Sequence, residues 1–215
     1  MIKKILIATG GTGGHIFPAY SLANYLINNN FQVQMTIDKR GTKYLKDYKS
    51  LNLVEFPSSP LKKENILTIL SSTIIIFFSI IKSLMFLFFN RPSIVFGMGG
   101  YSSFPICIAA SILRIKCVIY ENNLIIGKAN RFLLPFTEKI FVSYKELEGI
   151  PHRYKKKIIE IGNIIREEII NSNSSESTER YDSINILILG GSQAAKVFAD
   201  ELPKIFDSLK KKIYQ

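Results

Sequence analysis

The sequence predicts an α/β protein built on a parallel sheet, and three observations lead to this fold class. Short apolar runs rich in β-branched residues alternate with longer stretches of helical spacing, the pattern of strand–helix–strand units. Two of these runs end directly in glycine-rich loops, at residues 10–14 and 97–100. A polar segment at residues 171–183 is followed by another apolar run and another glycine turn, so a second unit of the same kind begins there.

Length and composition describe a globular protein with an excess of positive charge. The 215 residues are enough for one large domain or two small ones, and 47% are hydrophobic. Lys and Arg number 28 against 17 Asp and Glu, a net charge of +11. We therefore expect an anionic partner, namely lipid headgroups or phosphorylated substrates, although the charge serves solubility equally well. No basic and aromatic nucleic-acid signature is present, so nucleic acid is not expected as a partner.

The two cysteines and the N-terminus indicate a cytosolic setting. Cys107 and Cys117 lie ten residues apart with no histidine nearby, which predicts neither a disulfide framework nor a zinc site. Residues 1–4 lead straight into a short strand that ends in glycines, a pattern unlike that of a signal peptide.

The first strand and its loop carry the strongest site signal. Residues 5–9 form an apolar run, the segment after Pro18 has helical spacing, and the loop between them holds four glycines followed by His15. Glycine lets backbone N–H groups approach an anion closely, and a helix N-terminus adds its positive dipole end. The dinucleotide fingerprint is absent, since Ile16 stands where its third glycine belongs. A glycine turn with a purely structural role remains the alternative.

The remaining predicted elements bring further polar residues to the same edge of the sheet. Strands are predicted at residues 31–37, 51–56, 93–96, 116–120, 139–142 and 158–161, with a helix at about 104–113. Asp38 follows the second strand, where dinucleotide enzymes hold a ribose, but we interpret it as a loop or capping residue. Carboxyl ends of parallel strands meet at one edge, so His15, Tyr101 and residues 121–123 are expected to form one site.

Residues 66–89 are the most apolar stretch, with seventeen large apolar side chains among twenty-four. The stretch is long enough to span a membrane, but it lies between two strands of one sheet, where a crossover helix is required. We therefore predict a crossover helix whose apolar exposed face lies on anionic inner-membrane lipids. Lys62, Lys63, Lys82 and Arg91 would contact the headgroups. The alternative is a helix buried in a core or an oligomer interface.

The sequence also predicts a domain boundary. Residues 1–165 are interpreted as the first domain and residues 166–183 as a polar linker. Residues 184–215 start a second domain, with a strand at 184–189, a turn at 190–193 and a helix at about 194–209. One strand and one helix cannot bury a core, so we expect this second domain to be incomplete here.

Five motifs follow one another along nearly the whole chain. They are GGTGGH at residues 10–15 with Pro18, GMGGY at 97–101, YENN at 120–123 with Asn130, GNIIR at 162–166 and GGSQAA at 190–195. In this order they resemble the MurG family of glycosyltransferases, which add N-acetylglucosamine to the lipid-linked muramyl-pentapeptide of bacterial peptidoglycan. Five motifs in order are far more specific than any one of them.

The resemblance implies both a fold and a reaction. The fold is GT-B, two facing Rossmann-like domains with the reaction in the cleft between them. The reaction is a metal-independent, inverting transfer that needs no cofactor. It moves N-acetylglucosamine from the donor UDP-N-acetylglucosamine to the 4-hydroxyl of undecaprenyl-pyrophosphoryl-muramyl-pentapeptide, converting lipid I to lipid II. The resemblance also implies a peripheral enzyme on the cytoplasmic face of the plasma membrane.

This chemistry assigns candidate roles to the motif residues. It requires a base for the acceptor hydroxyl and stabilisation of the departing UDP. His15 is the candidate base or acceptor-orienting group, with Glu121 as its competitor. Tyr101 is expected to touch the acceptor. Backbone donors at Thr12, Gly13 and Gly14 are expected to hold a phosphate or sugar. The resemblance adds further substrate-binding residues: Asn123, Asn130, Arg166, Ser192 and Gln193.

The motifs depart from the family pattern at several positions, which leaves other functions open. Tyr120 and Asn122 replace a histidine and a glutamine, and Ala194 replaces a glycine of the last motif. Because the donor domain is incomplete, we expect this chain alone to have little or no transferase activity. The alternatives are a non-catalytic remnant, one half of a split transferase, a GT-B enzyme with another acceptor, and a dehydrogenase-like Rossmann protein.

Overall fold

A computed structural model describes residues 3–45, 51–58, 65–171, 188, 190 and 195–213. The chain divides into two compact units, residues 1–172 and 173–215. The first unit contains the sheet, and its alternation of strands and helices confirms the predicted α/β class.

Seven parallel strands form the sheet. They are β1 (Lys4–Ala8), β2 (Gln32–Ile37), β3 (Leu53–Glu55), β4 (Ile94–Gly97), β5 (Lys116–Glu121), β6 (Lys139–Val142) and β7 (Ile158–Glu160). Their order is β3-β2-β1-β4-β5-β6-β7, so the direction of winding reverses between β1 and β4. Ligands of open parallel sheets bind at the carboxyl ends of the strands beside such a reversal. Ala8 is paired with both Thr36 and Gly97, so the loops after β1 and β4 leave the sheet at one level.

Helices cover both faces of the sheet. They are α1 (Gly13–Asn28), α2 (Lys39–Thr42), α3 (Ile66–Asn90), α4 (Ser103–Ile112), α5 (Lys128–Leu133) and α6 (Glu167–Asn171), with 3-10 turns at Leu134–Phe136 and His152–Lys157. Alternate residues of a strand face opposite sides. Ile5 and Ile7 accordingly belong to the core layer beneath α1, whereas Leu6 and Ala8 belong to the layer beneath α3 and α4.

The first helix begins earlier than the sequence predicted. We expected it after Pro18, but α1 starts at Gly13 and contains Pro18 in its second turn. Proline has no N–H to bond the carbonyl four residues earlier, which here belongs to Gly14. The side-chain amide of Asn122 donates to that carbonyl at 3.0 Å. A residue from another loop thus replaces the missing intrahelical donor, a compensation that periodicity cannot reveal.

The apolar crossover helix is confirmed, and it packs in an unusual orientation. In α3 the buried side chains are three serines, Ser72, Ser79 and Ser83, together with Leu87. Most large apolar residues face outward: Ile66, Leu67, Leu70, Phe77, Phe78, Met85, Phe88 and Phe89 are each more than half exposed. Ser79 donates to the carbonyls of Ile75 and Pro57, at 2.7 and 2.9 Å. The exposed face excludes the alternative that this helix is buried in the core of the unit.

This helix is also long and apolar enough to cross a membrane. Its best window has a mean hydropathy of 2.2, and 22% of that window is buried in the protein. Lys82 was predicted as a headgroup contact, and its ammonium lies 4.9 Å from the ring centre of Phe56. Arg91 donates to the carbonyl of Leu113 at 3.2 Å. Lys62 and Lys63 lie outside the described residues.

The second unit is described only in part. The helix predicted at about 194–209 is present as α7 (Ala195–Ile213). The predicted strand at 184–189 and turn at 190–193 lie almost wholly outside the described residues. Within the stretch predicted as a polar linker, residues 167–171 form a short helix, α6, and the amides of Ile169 and Ile170 donate to the Arg166 carbonyl.

The serine face of α3 allows a direct test of its orientation. Ser83→Leu would force a larger side chain into a fully buried position. We expect it to lower the free energy of unfolding by about 1–3 kcal/mol. Phe78→Ser, on the exposed face, should change it by about 0.5 kcal/mol or less. Urea unfolding of both variants measures the difference, and a larger loss in Phe78→Ser would contradict the orientation.

Candidate functional site

The polar residues at three strand ends meet around one small cavity. Its volume is about 170 Å³, and it is lined by His15, Gly100, Tyr101, Glu121, Asn123, Gly127, Lys128, Ala129 and Asn130. Five residues that the sequence singled out therefore share one cavity: His15, Tyr101, Glu121, Asn123 and Asn130. Two larger depressions, of about 620 and 580 Å³, lie beside β7 and α1 and are lined by none of the predicted site residues.

The second glycine loop makes room for the ring of His15. A Cβ at Gly99 would lie 3.0 Å from Nδ1 and Cε1 of His15, and a Cβ at Gly100 would lie 3.0 Å from the Gly10 carbonyl oxygen. Both glycines also have left-handed backbone angles, with φ of +83° and +77°. Such angles strain any residue with a side chain. Glycine at these positions thus lets the two loops approach each other around the imidazole.

His15 is held as a neutral imidazole near neutral pH. Burial lowers the pKa of His15 below its usual 6.5, and the negative charge of Glu121 and the Met98 carbonyl offset part of that shift. Its Nδ1 atom is buried and has no hydrogen-bond partner among the described residues. Buried polar atoms in folded proteins nearly always have a partner, so this nitrogen is an exception among the described residues. A neutral imidazole in a polar cavity is able to accept a proton.

Glu121 organises the wall of the cavity. The residue is buried, and its carboxylate accepts four hydrogen bonds from the loop and helix that follow β5. Oε1 accepts from the backbone and side-chain N–H groups of Asn123, at 3.1 and 2.7 Å. Oε2 accepts from Gly127 N and from the Asn130 side chain, at 2.8 and 2.9 Å. The carboxylate thus links the end of β5 to the loop that follows it and to helix α5.

The two asparagines that hold Glu121 also line the cavity. Asn130 donates through Nδ2 to Glu121 and to the Tyr120 carbonyl, whereas its buried Oδ1 has no partner among the described residues. Asn123 donates through Nδ2 as well and is exposed at the cavity. Oxygen acceptors grouped in a polar cavity suit a ligand that is rich in hydroxyl or amide donors, such as a sugar.

Asp38 braces the first glycine loop. Its Oδ1 accepts from the backbone N–H groups of Gly11 and Gly41, at 2.9 and 3.0 Å. Its Oδ2 accepts from Ser58 at 3.0 Å and pairs with Arg40 at 2.7 Å. Asp38 is the N-cap of α2, so its interpretation as a capping and loop residue is confirmed. A carboxylate engaged by four partners is a poor ribose ligand, which argues against a dehydrogenase.

The start of α1 lies beside this loop. Thr12 is the N-cap of α1 and makes no side-chain capping bond, and it is exposed, as is Gly14. The first amide with an intrahelical partner is that of His15, which bonds the Thr12 carbonyl at 3.0 Å. The preceding amides, on Gly13 and Gly14, therefore stand at the open end of the helix. Unbonded amides at a helix N-terminus are donors suited to an anion, and the role of residues 12–14 in holding a phosphate or sugar stays a prediction.

Arg166 approaches the same loop from the far end of the sheet. Its guanidinium carbon lies 4.6 Å from the ring centre of Phe17, two residues after His15. Phe17 in turn makes an edge-to-face contact with Tyr44, with ring centres 6.0 Å apart. The structure thus places Arg166 near α1, outside the residues that line the cavity. Ser192 and Gln193 lie outside the described residues.

Sequence reasoning missed the structural roles of Tyr120 and Asn122. It noted both only as departures from a motif. The Tyr120 hydroxyl is buried among Ser143, Gly162 and Ile164, and Asn122 completes α1 at Gly14. One sequence signal points to the role of Asn122. Pro18 has no N–H, so it leaves the carbonyl of Gly14, four residues earlier, without its helical donor.

Comparison with known proteins identifies the family. The profile of the glycosyltransferase family 28 N-terminal domain matches residues 5–142. The chain belongs to glycosyltransferase family 28. This match spans the sheet from β1 to β6 and contains every residue that lines the cavity.

The family-28 relatives confirm the resemblance to the MurG family. A protein of Pelagibacter ubique is 40% identical over the whole chain, and one of Rickettsia canadensis is 37% identical over 94% of it. Both are named UDP-N-acetylglucosamine--N-acetylmuramyl-(pentapeptide) pyrophosphoryl-undecaprenol N-acetylglucosamine transferase. The chain spans 60% and 56% of the lengths of these two relatives.

Solved structures support the same fold. The crystal structure of Acinetobacter baumannii MurG matches with a TM-score of 0.67 at 24% identity, covering 94% of this chain and 54% of that one. A UDP-GlcNAc 2-epimerase from Neisseria meningitidis bound to UDP-GlcNAc matches with a TM-score of 0.53 at 20% identity, covering 75% and 47%. At these identities the structures establish the fold alone, which is that of the N-terminal domain of a GT-B protein.

The brace at Asp38 predicts a stability effect with a defined dependence on pH. Burial by itself raises the pKa of Asp38, but bonds from Gly11, Arg40 and Ser58 outweigh it and hold the pKa below its usual value. A lowered folded pKa stabilises the protein above the unfolded pKa of about 3.9, and this contribution is lost as the pH falls below it. Asp38→Ala also leaves the amides of Gly11 and Gly41 without an acceptor, so it should lower the free energy of unfolding by about 2 kcal/mol or more.

Asp38→Asn is the matched control, because its Oδ1 keeps an acceptor for the Gly11 and Gly41 amides, whereas the charge and the acceptor for Arg40 and Ser58 are lost. Its loss of unfolding free energy at pH 7 should be smaller than that of Asp38→Ala. Below pH 4 it should show a weaker fall in stability than the wild type. Urea unfolding from pH 3 to 7 measures both, and equal losses in the two variants would refute the brace.

Proposed function

We propose that this chain is the acceptor-binding, membrane-facing half of a peptidoglycan glycosyltransferase that converts lipid I to lipid II. The observation that carries the proposal is the cavity that His15, with its lowered pKa, lines together with buried Glu121 and the two asparagines Asn123 and Asn130. Membership of family 28 and the names of the Pelagibacter and Rickettsia relatives support it. Residues 1–165 would form the acceptor domain, 166–183 the linker, and residues from 184 onward the beginning of the donor domain.

In the proposed reaction the 4-hydroxyl oxygen of the muramyl sugar attacks C1 of N-acetylglucosamine. The bond between C1 and the β-phosphate oxygen breaks as the new bond forms, so the configuration at C1 inverts and UDP leaves with the electron pair. The hydroxyl proton passes to the imidazole of His15. Its lowered pKa keeps the imidazole neutral, and the two glycine loops hold it in place. A positioned base of this kind contributes about 10²–10⁴-fold to rate.

Glu121 supports this base rather than replacing it. Both of its oxygens already accept two hydrogen bonds each, so taking a proton would break contacts that hold the cavity together. Its negative charge favours the protonated form of His15. It therefore stabilises the imidazolium that forms as the acceptor is deprotonated. Tyr101 and the carbonyls of Asn123 and Asn130 would contact the acceptor sugar.

The donor would be held from the side of the first glycine loop. The amides at Gly13 and Gly14 and the guanidinium of Arg166 offer donors to the diphosphate of UDP-N-acetylglucosamine. Ser192 and Gln193 are proposed to contribute further donor contacts. Since the chain spans 60% of its Pelagibacter relative, we expect it to show little or no turnover by itself.

The exposed face of α3 is proposed to bind the cytoplasmic surface of the plasma membrane. The face carries large apolar side chains, and two basic residues accompany it, Lys82 within the helix and Arg91 at its C-cap. An apolar area of this extent is rare on soluble monomers and marks an interaction surface. Binding there would bring the cavity to a lipid-linked acceptor, while the net charge of +11 favours anionic headgroups.

A chimera tests the proposed reaction. Residues 1–165 replace the corresponding part of the Pelagibacter ubique relative, and transfer from UDP-N-acetylglucosamine to a lipid I analogue is measured. We expect activity, and His15→Ala should lower kcat/KM by about 10²–10⁴-fold. His152→Ala, which changes the exposed second histidine, is the matched control and should leave kcat/KM unchanged.

The pH profile of the same chimera tests the protonation state of His15. Because burial lowers the pKa of His15, the acid limb of kcat/KM should lie below pH 6.5, and it should vanish in His15→Ala. An acid limb above pH 6.5, or one that survives the substitution, would show that another group is the base. A chimera that folds but transfers no N-acetylglucosamine would contradict the proposed function.

Flotation with liposomes tests the membrane face. Phe78→Asp with Phe88→Asp should reduce binding to vesicles rich in anionic lipid by at least about tenfold, since each removes an aromatic side chain from the lipid and adds a charge. Tyr25→Asp is the matched control, because Tyr25 is 66% exposed on α1, on the other face of the sheet. Equal binding by the wild type, the double variant and Tyr25→Asp would refute the assignment of this face.

A further inference from the structure

The Tyr120 hydroxyl joins the end of β5 to the segment that leaves the sheet after β7. Tyr120 is 2% exposed, and its oxygen lies 2.7 Å from Ser143 Oγ and 3.2 Å from the Gly162 carbonyl. The backbone N–H of Ile164 donates to the same oxygen at 3.2 Å. One buried hydroxyl thus contacts both the carbonyl and the amide side of a single turn.

This turn has few other restraints. Gly162 has φ of +77°, and a Cβ at this position would meet nothing within 4 Å. Ile164 is partly buried against the core layer beneath α1. The polar contacts to Tyr120 therefore supply the directional restraint on a turn that glycine leaves conformationally free.

Arg166 follows two residues after this restrained turn. Its guanidinium lies over the ring of Phe17, one helical turn from the glycine loop. A long cationic side chain loses considerable rotamer freedom when it is fixed. Two constraints reduce that freedom here: an aromatic surface under the guanidinium, and a backbone tied at Gly162 and Ile164.

Tyr120 is tied to the cavity as well. Its carbonyl accepts from the Asn130 side chain at 3.0 Å, and the next residue is Glu121. The phenol therefore connects the cavity wall with the backbone that carries Arg166. Tyr120 thus bonds Asn130 through its backbone carbonyl and Ile164 through its hydroxyl, and its side chain spans the distance between the two parts of the site.

We propose that Tyr120 is a positioning residue that, through its hydroxyl and together with Phe17, holds Arg166 ready to bind the diphosphate of the donor nucleotide. The nature of this ligand rests on the proposed function, whereas the positioning itself does not. A guanidinium fixed in advance binds a diphosphate with a smaller loss of conformational entropy. Removing the hydroxyl should therefore release Arg166 without disturbing the ring that fills the core.

The first test uses Tyr120→Phe in the 215-residue chain. Hydrogen exchange at the Ile164 amide should accelerate by about two- to tenfold, as expected for the loss of one hydrogen bond. NMR should also show that the Arg166 side-chain protons lose the upfield shift caused by the Phe17 ring. An unchanged Arg166 shift in a folded Tyr120→Phe variant would overturn the proposal.

Two controls separate positioning from general stability. Ser143→Ala removes another partner of the same hydroxyl but leaves its contacts to Gly162 and Ile164, so the Arg166 shift should be retained. Tyr154→Phe removes a hydroxyl from the turn before β7, at the opposite end of that strand, and should change neither signal. Loss of the Arg166 shift in Ser143→Ala would indicate a purely structural role.

The second test titrates the chain with UDP. Tyr120→Phe should raise the Kd for UDP by about three- to tenfold, the effect should approach that of Arg166→Ala, and the double variant should add little. Fully additive effects would overturn the link between Tyr120 and Arg166. If UDP perturbs no Arg166 signal in the wild type, the donor assignment fails, while the exchange and shift measurements still decide the positioning.

Discussion

The four hydrogen bonds to the Glu121 carboxylate are the constraint on which the site depends. A buried carboxylate is costly unless its oxygens are satisfied, and Glu121 is satisfied by Asn123, Gly127 and Asn130. Meeting this requirement draws the loop after β5 and the start of α5 against the end of the sheet. The cavity is the space that remains between this assembly and the two glycine loops. The charge at its centre also acts on His15.

The two faces of helix α3 also have separate roles. Helix α3 directs serines into the protein and large apolar side chains outward, the reverse of a helix on a soluble protein. Small side chains permit close packing, and their hydroxyls bond carbonyls within α3 and at Pro57. The outward face is the surface that we propose to bind lipid. One element thus connects β3 to β4 across the face of the sheet and supplies the proposed attachment to the membrane.

Much of this arrangement follows from local sequence, and the exceptions have physical causes. Strands β5 and β6 and helix α3 lie within a residue or so of their predicted bounds, because each is an apolar run with polar residues on at least one side. The start of α1 was placed too late because Pro18 is a helix breaker by itself. Asn122, more than a hundred residues away, makes it tolerable by bonding the Gly14 carbonyl. No pattern within one element contains that information.

The sequence by itself determined the α/β class, the crossover helix, the glycine loops and the family motifs, since each depends on residue types at short separations. Only the tertiary structure decided what these residues do together. Strand order brings the loops after β1, β4 and β5 to one edge, so that His15 loses solvent and its pKa falls. The same fold lets Asp38 bond the first glycine loop and lets Glu121 bond the loop after β5. It also brings the Tyr120 hydroxyl to the turn that precedes Arg166. These roles arise from contacts between distant segments, where burial and hydrogen-bond satisfaction, rather than local propensity, set the outcome.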